Sequence, residues 1–340
     1  MNIASEIDEK ELLNSLENNI NAADSYAESE IGEQRDKGYK YYYGQPMGNE
    51  RTGRSQHVSM DVFDGVESIK SMLLDCFTAD RNVCKFEAQS AEDFIPAKMA
   101  TALTNFIFYR ENNGHKILHD VLHDALIAKT GIVKRYYKDD YQYEEETFEA
   151  LDEASFNMLG ADEAVTIMEI DEDIQMQQTQ DPQTGQVFDV EVKLYTGELV
   201  RKIDKSRVVI EVIQPEDFLI TPRATDENDS DFCSHRTTRT RGELLSEGYD
   251  EDIVSKLDED RDSHNDGGDG RDSVDSSSTK SHFDADNDRE YVTVYESYIK
   301  KYRDDLKKCV FLKCFHSRTV LLDVEIVSEK PFRYFTPFPL

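Results

Sequence analysis

Positive charge is scarce in this sequence. Its 340 residues include 39 Lys and Arg against 71 Asp and Glu, which gives a formal net charge of −32. A protein that holds nucleic acid or an anionic membrane tightly needs clustered Lys and Arg to neutralise the phosphates. The composition therefore argues against a tight DNA-binding protein and favours a surface that repels nucleic acid.

Long hydrophobic runs are missing as well. No apolar stretch of the sequence approaches the roughly 20 residues that a membrane-spanning helix needs. A signal peptide has a cationic flank followed by an apolar run, and residues 1–30 contain no such pattern. We therefore expect no membrane partner.

Cysteine is rare and tryptophan is absent. The five cysteines are odd in number and scattered, and Cys309 and Cys314 have no second pair that could complete a zinc site. Free thiols in a reducing cytosol are the expected state. The 17 Phe and 17 Tyr residues nevertheless predict a folded protein with a substantial core.

Signatures of catalysis are also lacking. The sequence has no Gly-rich phosphate-binding loop and no serine elbow. Its Asp and Glu residues are so numerous that a pair of carboxylates gives no indication of catalysis. His115 and His119 lie four residues apart on a predicted helix and could chelate a metal, but "HKILH" lacks the glutamate of the zinc-protease motif. We predict a surface histidine stripe, no cofactor and no enzyme, with a metal-dependent enzyme as the alternative.

The clearest helical pattern covers residues 60–77, and Ser59 is its predicted N-cap. Apolar side chains recur there at intervals of three and four residues, which places them on one wide face. This face can pack in the core, the favoured interpretation, or against a neighbouring subunit. The candidate packing or interface residues are Val62, Phe63, Val66, Ile69, Leu73 and Phe77.

Four segments follow from composition and periodicity. Residues 1–38 form an acidic, helix-prone arm, and residues 39–257 form an α+β body. Residues 258–290, rich in Asp, Ser and Gly, are predicted to be a disordered acidic loop, and residues 291–340 supply strands that complete the body. Helical spacing gives way to alternating spacing after Gly131, so the expected fold is α+β, with a helical amino-terminal part packed on antiparallel strands.

Local signals predict further details. Thr240 and Glu243 have the spacing of a capping box. The short "NVCKFEA" segment, residues 82–88, is expected to be a strand. Tight turns are expected at "DPQTGQ", residues 181–186, and at the "TG" of residues 196–197.

Five blocks resemble, in order, the amino-terminal half of portal proteins from short-tailed, podovirus-type phages. Together they span most of the chain from residue 39 onward. The blocks are "RSQHVSMDVFDGVESIKSMLLDCFT", "TNFIFYRENNGHKILHDVLHDALIAKTGIVKRYY", "VIQPEDFLITPRA", "RGELLSEGYDEDIV" and "TVLLDVEIVSEKPFRYFTPFPL".

The resemblance implies a structural subunit of a portal ring, a dodecamer, at one capsid vertex. Double-stranded DNA would pass through this ring during packaging and ejection without tight binding. Implied partners are other copies of the chain, terminase, scaffold and capsid proteins and tail adaptor proteins. The implied location is the virion, and the host cytoplasm during assembly. By the same resemblance, the chain would form the wing and end before the first stem helix.

An alternative function explains the charge alone. An acidic DNA mimic or adaptor protein would occupy the nucleic-acid site of a basic partner. It would not explain five blocks in the order of a portal protein.

Overall fold

The computed structural model describes residues 9–46, 53, 57–80, 82–180, 187–222, 224, 230–257, 291–303 and 307–336. The predicted disordered loop and the predicted "DPQTGQ" turn lie outside these residues. The chain divides into two compact units. The first combines Met1–Arg135 with Ile210–Leu340, and the second is Tyr136–Val209.

The described helices lie mostly in the amino-terminal part. Short π-helical turns, Ala27–Gly32 and Ile107–Glu111, follow the first and fourth of them. None of the helices in the described ranges is both long and apolar enough to cross a membrane. The helices are α1 (Glu9–Tyr26), α2 (Glu33–Tyr42), α3 (Asp61–Thr78), α4 (Phe94–Phe106), α5 (Gly114–Ile127), α6 (Glu153–Gly160), α7 (Arg241–Ser246) and α8 (Glu251–Val254).

The strands form three sheets with the orders β11-β1-β5, β10-β9-β8-β7-β6 and β2-β4-β3. The pairings with a resolved register are antiparallel, so the predicted α+β class is confirmed. The strands are β1 (Gly131–Lys138), β2 (Tyr141–Asp152), β3 (Val165–Gln180), β4 (Val187–Asp204), β5 (Arg207–Ile213), β6 (Phe218–Ile220), β7 (Phe232–Thr240), β8 (Tyr291–Arg303), β9 (Lys308–His316), β10 (Leu321–Val327) and β11 (Phe332–Phe335).

The five-stranded sheet is the centre of the first unit, because both of its faces are covered. Successive side chains of a strand point to opposite faces. On β8, Tyr295 and Ile299 therefore pack in a cluster with α1, whereas Tyr298 packs in a second cluster with Ile132 of β1 and Phe332 of β11. The helices α7 and α8 cover the remaining end of that second face.

Helix α1, which lies in the predicted acidic and helix-prone arm, packs in this core. Leu12, Leu16, Ile20 and Ala23 recur at helical spacing and are buried in the same cluster as the five-stranded sheet. Leu13, next to Leu12 in the sequence, is only half-buried. The acidic residues of α1 occupy its other faces.

Replacing Leu16 by alanine should lower the free energy of unfolding by about 2–5 kcal/mol, because Leu16 is fully buried and the change leaves a cavity. Leu13→Ala on the same helix is the matched control and should cost less than about 1 kcal/mol. Urea denaturation followed by circular dichroism would measure both. Equal losses for the two variants would show that α1 is not part of the core.

The second unit is a three-stranded sheet with α6 packed on one face. Phe148, Tyr195 and Leu199 form its core, against Phe156 and Leu159 of α6. The prediction of a turn at "TG" is wrong, because β4 runs without interruption through these residues.

Gly197 marks a close approach between strands instead of a turn. A Cβ at this position would lie 2.0 Å from the Glu169 carbonyl oxygen. The β3–β4 register shifts between Ile167 and Glu169, next to this contact. Glycine inside a strand commonly marks such a bulge.

Two further local predictions are wrong and one is confirmed. Residues 82–88 form no strand; the backbone N–H groups of Val83 and Phe86 donate instead to side-chain oxygens of α4, at 2.6 and 3.0 Å. Met60, not Ser59, is the N-cap of α3, and it makes no side-chain capping bond. The capping box of Thr240 and Glu243 is present as predicted.

Candidate subunit-contact surface

Helix α3 is held against the protein by one side only. Phe63 and Val66 pack against a small cluster in which α2 and α5 meet. The Phe63 ring lies 5.1 Å from the Tyr42 ring. The buried members of this cluster are Tyr39, Tyr42, Ile127 and Ala128.

Polar contacts fix the rotation of α3 about its axis. Glu67 Oε1 accepts a hydrogen bond from the Tyr42 hydroxyl at 2.7 Å and from buried Lys70 Nζ at 2.6 Å. These bonds, from Lys70 first and then from Tyr42, lower the pKa of Glu67. Burial, and then the Glu67 carboxylate, raise the pKa of Tyr42. A helix anchored in this way leaves part of its apolar face exposed, and this exposed part is called its outward side below.

The six interface candidates share one wide apolar face, and they divide between its covered part and its outward side. Phe63 and Val66 lie on the anchored side. Val62, Ile69 and Phe77 are 43%, 48% and 49% exposed, and Leu73 is half-buried. The spacing of apolar residues placed all six on one wide face, and it could not show which part of that face the rest of the chain covers.

Helix α4 extends the exposed apolar surface, and the sequence reading missed it. No residue of α4 is buried against the described part of the chain. Ile95, Met99, Leu103 and Phe106, at helical spacing, are between 53% and 68% exposed. The sequence does mark this surface by its lack of charge. Lys98 is the single charged residue from 94 to 109, in a chain with 32% charged residues.

His115 and His119, the pair considered for the metal alternative, are not gathered with enough other ligands to hold a metal ion in the part of the chain that the structure describes. His119 Nδ1 lies 2.9 Å from the neighbouring Asp120 carboxylate, and the His119 ring stacks on His123 at 6.1 Å. His115 packs beside the Tyr109 ring instead. Among the residues that the structure describes, no group of three or more His, Cys, Asp or Glu is placed to hold a metal ion.

The second unit carries a strongly acidic surface. Residues 136–209 include 19 Asp and Glu but only six Lys and Arg. Eight of these carboxylates lie on exposed positions of β2 and β3. Arg201 is already engaged, since it holds Glu146 in a two-pronged contact at 3.1–3.2 Å. Such a surface repels polyanions.

Two short runs rich in Lys and Arg, residues 235–241 and 300–308, have acidic neighbours at some of their cations. In the first run, Arg236 pairs with Asp217 at 3.3 Å and Arg239 with Glu247 at 3.5 Å. In the second run, Lys300 pairs with Asp231 at 3.2 Å. These cations are therefore poorly suited to neutralising DNA phosphates.

One comparison with known proteins identifies a family. The sequence model of the family described as phage SU10 portal protein matches residues 12–340, almost the entire chain. No curated protein matches this sequence.

Proposed function

Because this chain belongs to the phage SU10 portal protein family, we propose that it is a structural subunit of a dodecameric ring at a capsid vertex. In this proposal the ring is the passage through which double-stranded DNA is packaged and later ejected. The family match over residues 12–340 is the observation that carries the proposal. The proposed role requires no catalysis by this chain.

The charge of the chain supports passage of DNA without retention. Each phosphate contact adds binding energy that would have to be broken at every step of DNA movement. A formal charge of −32, concentrated in part on the second unit, keeps such contacts few. The proposed partners beyond DNA are terminase, scaffold and capsid proteins and tail adaptor proteins. The proposed setting is the virion, after assembly in the host cytoplasm.

We assign the outward side of α3 to contact with a neighbouring subunit. Val62, Ile69 and Phe77 are exposed there, and a closed ring must bury apolar surface between its subunits. Phe63 and Val66 fix the helix to its own subunit, so the outward side is held rigidly for docking.

Ring assembly should become more favourable as salt or magnesium is added. Twelve copies that each carry a formal charge of −32 repel one another, and screening weakens this repulsion beyond a Debye length of about 8 Å at physiological salt. Sedimentation velocity of the full-length protein across a salt and magnesium series would measure the fraction in rings. Assembly that weakens steadily as salt rises would contradict the expectation.

The outward side of α3 can be tested in the same series. Ile69→Asp should reduce the fraction in rings about tenfold or more, because it places a charge in an apolar contact. Ser71→Asp is the matched control, since it adds the same charge at an exposed polar position of the same helix, and it should leave assembly intact. If the wild-type protein formed no ring but bound a basic partner tightly as a 1:1 complex, the DNA-mimic or adaptor alternative would replace the proposal.

A further inference from the structure

The exposed stripe of α4 lacks a partner in the described part of its own chain. Ile95, Met99, Leu103 and Phe106 form this stripe, which we name the α4 stripe. Its ends, Ile95 and Phe106, are eleven positions apart, which corresponds to a length of about 17 Å along the helix. Lys98 lies beside it, with its ammonium group 4.5 Å from the centre of the Phe94 ring. Apolar surface of this extent on an otherwise highly charged protein marks an interaction site.

A second uncovered surface lies on the hairpin of β3 and β4. The pairing between β2 and β4 reaches only to Leu194, where it meets Asp152. From Lys193 back to Val187, β4 therefore pairs with β3 alone in the described structure. Two strands without a third strand or a helix are only marginally stable in water. This two-stranded part, together with β3 from Ile170 to Met176, is called the ribbon below.

The ribbon has an apolar face of matching length. Ile170, Ile174 and Met176 are between 49% and 69% exposed, and they alternate with Asp171 and Asp173 on the opposite face. The distance from Ile170 to Met176 is about 20 Å at the rise of a strand. Exposed Glu172 lies near the centre of this row on β3, and exposed Lys193 of β4 lies on the same face, directly opposite Ile174.

We propose that the α4 stripe of one subunit is covered by the ribbon of a neighbouring copy, with Lys98 pairing with Glu172. The proposal rests on the proposed ring and names two of the surfaces that close it. A ring is built from heterologous contacts, in which two different surfaces of the same chain meet. The stripe and the ribbon are two such surfaces: they are similar in length, both expose apolar side chains, and Glu172 on the ribbon has the charge opposite to that of Lys98 beside the stripe.

Charge favours a second copy as the occupant. Any copy of this chain carries a formal charge of −32, so two copies can approach closely only where one surface is nearly free of acids. Residues 94–109 contain no acid and a single Lys. A basic partner would be drawn instead to the acidic faces of the second unit.

Charge reversal tests the pairing in the full-length protein. Lys98→Glu and Glu172→Lys should each weaken ring assembly about tenfold, and the double variant should recover most of the loss, because paired surface charges couple when they are in contact. Lys116→Glu and Asp173→Lys are matched controls, since they make the same charge changes at exposed positions outside the proposed contact. Sedimentation velocity at fixed salt would measure the fraction in rings.

Cross-linking identifies the occupant. A mixture of Met99→Cys and Ile174→Cys chains should give disulfide-linked dimers that contain one of each variant, at a yield well above that of either variant alone. A cross-link within a single chain carrying both changes would overturn the proposal in favour of an intrachain contact. If rings still formed with each single charge reversal, the proposal would also be overturned. The α4 stripe would then be assigned to contact with another virion protein. In both cases the ring function would stand; it fails only if the wild-type chain forms no ring.

Discussion

Replacing Glu296 by alanine is expected to lower the free energy of unfolding by about 3–5 kcal/mol. Glu296 of β8 accepts hydrogen bonds from Lys134 Nζ at 2.6 Å and from the Tyr298 hydroxyl at 2.5 Å. Burial, the largest single influence, raises the pKa of Glu296, but Lys134, the Tyr298 hydroxyl and Lys313 together outweigh it, so the pKa is lowered. Lys134 is buried, so removal of this carboxylate takes away an acidic partner at 2.6 Å, whereas Glu211 lies farther off, at 3.7 Å.

A surface ion pair offers the matched control for this variant. Glu325 pairs with Lys313 at 3.1 Å, but its side chain is 54% exposed. Glu325→Ala should therefore cost less than about 1 kcal/mol. Urea unfolding at pH 7 would compare the two changes. Equal small losses would mean that the Lys134–Glu296 pair does not join the three-stranded and five-stranded sheets of the first unit.

A third variant separates loss of charge from loss of packing. Lys134→Met combined with Glu296→Gln removes both charges and keeps an acceptor for the Tyr298 hydroxyl. Replacing both members of a buried ion pair is often close to neutral, whereas removing one leaves an uncompensated charge. The double variant should therefore be more stable than Glu296→Ala. A double variant as unstable as Glu296→Ala would attribute the loss to packing.

Lowering the pH from 7 to 4.5 is expected to destabilise the first unit by about 2–3 kcal/mol through His316 alone. Burial lowers the pKa of His316 to about 4, against 6.5 in a solvated chain. The unfolded chain therefore binds a proton that the folded chain does not. The stability from the neutral imidazole is complete above about pH 6.5 and is lost as pH falls toward 4. Burial, and then the charge of Lys134, lower the pKa of His235 to about 4, which adds a similar loss.

The surroundings of His316 explain why its neutral form is required. The Ser317 carbonyl can only accept, so His316 Nδ1 carries a proton and donates to it at 2.7 Å. His316 Nε2 must then accept from the Ser297 hydroxyl at 2.8 Å, and Ser297 in turn accepts from Ser234 at 2.9 Å. A proton on Nε2 would force this chain of hydrogen bonds to reverse its direction, and it would place a positive charge in a buried position.

His316→Gln tests this dependence, because a glutamine does not titrate in this range. The variant should lose about 2 kcal/mol less than the wild type between pH 7 and pH 4.5. Thermal or urea unfolding measured across this range would give both slopes. A variant whose stability falls with pH as steeply as that of the wild type would exclude His316 as a source of acid sensitivity.

Much of the fold could be predicted because its signals are local. Residues 60–77 read as a helix, and the structure has α3 at Asp61–Thr78. The capping box at Thr240 depends on two residues three positions apart, and it is present. Gly197 shows where local signals fail: in a sequence "TG" is typical of a turn, but a carbonyl group of another strand determines its place here.

The contact surface was only partly predictable. Spacing could identify the apolar face of α3, but Tyr42, Glu67 and Lys70 determine which side turns inward. The α4 stripe could have been found from its lack of charge. The ribbon face could not, because it depends on where β2 stops pairing with β4.

By itself, the sequence determined the α+β class, the acidic surface and the likeness to portal proteins, since composition, periodicity and ordered blocks are properties of the chain alone. Only the tertiary structure decided that α1 joins the core, that Lys134 meets Glu296 across two sheets, and that α4 stays uncovered by the described residues. The physical reason is that burial depends on which distant segments meet. That information lies in long-range packing and not in any local pattern of residues.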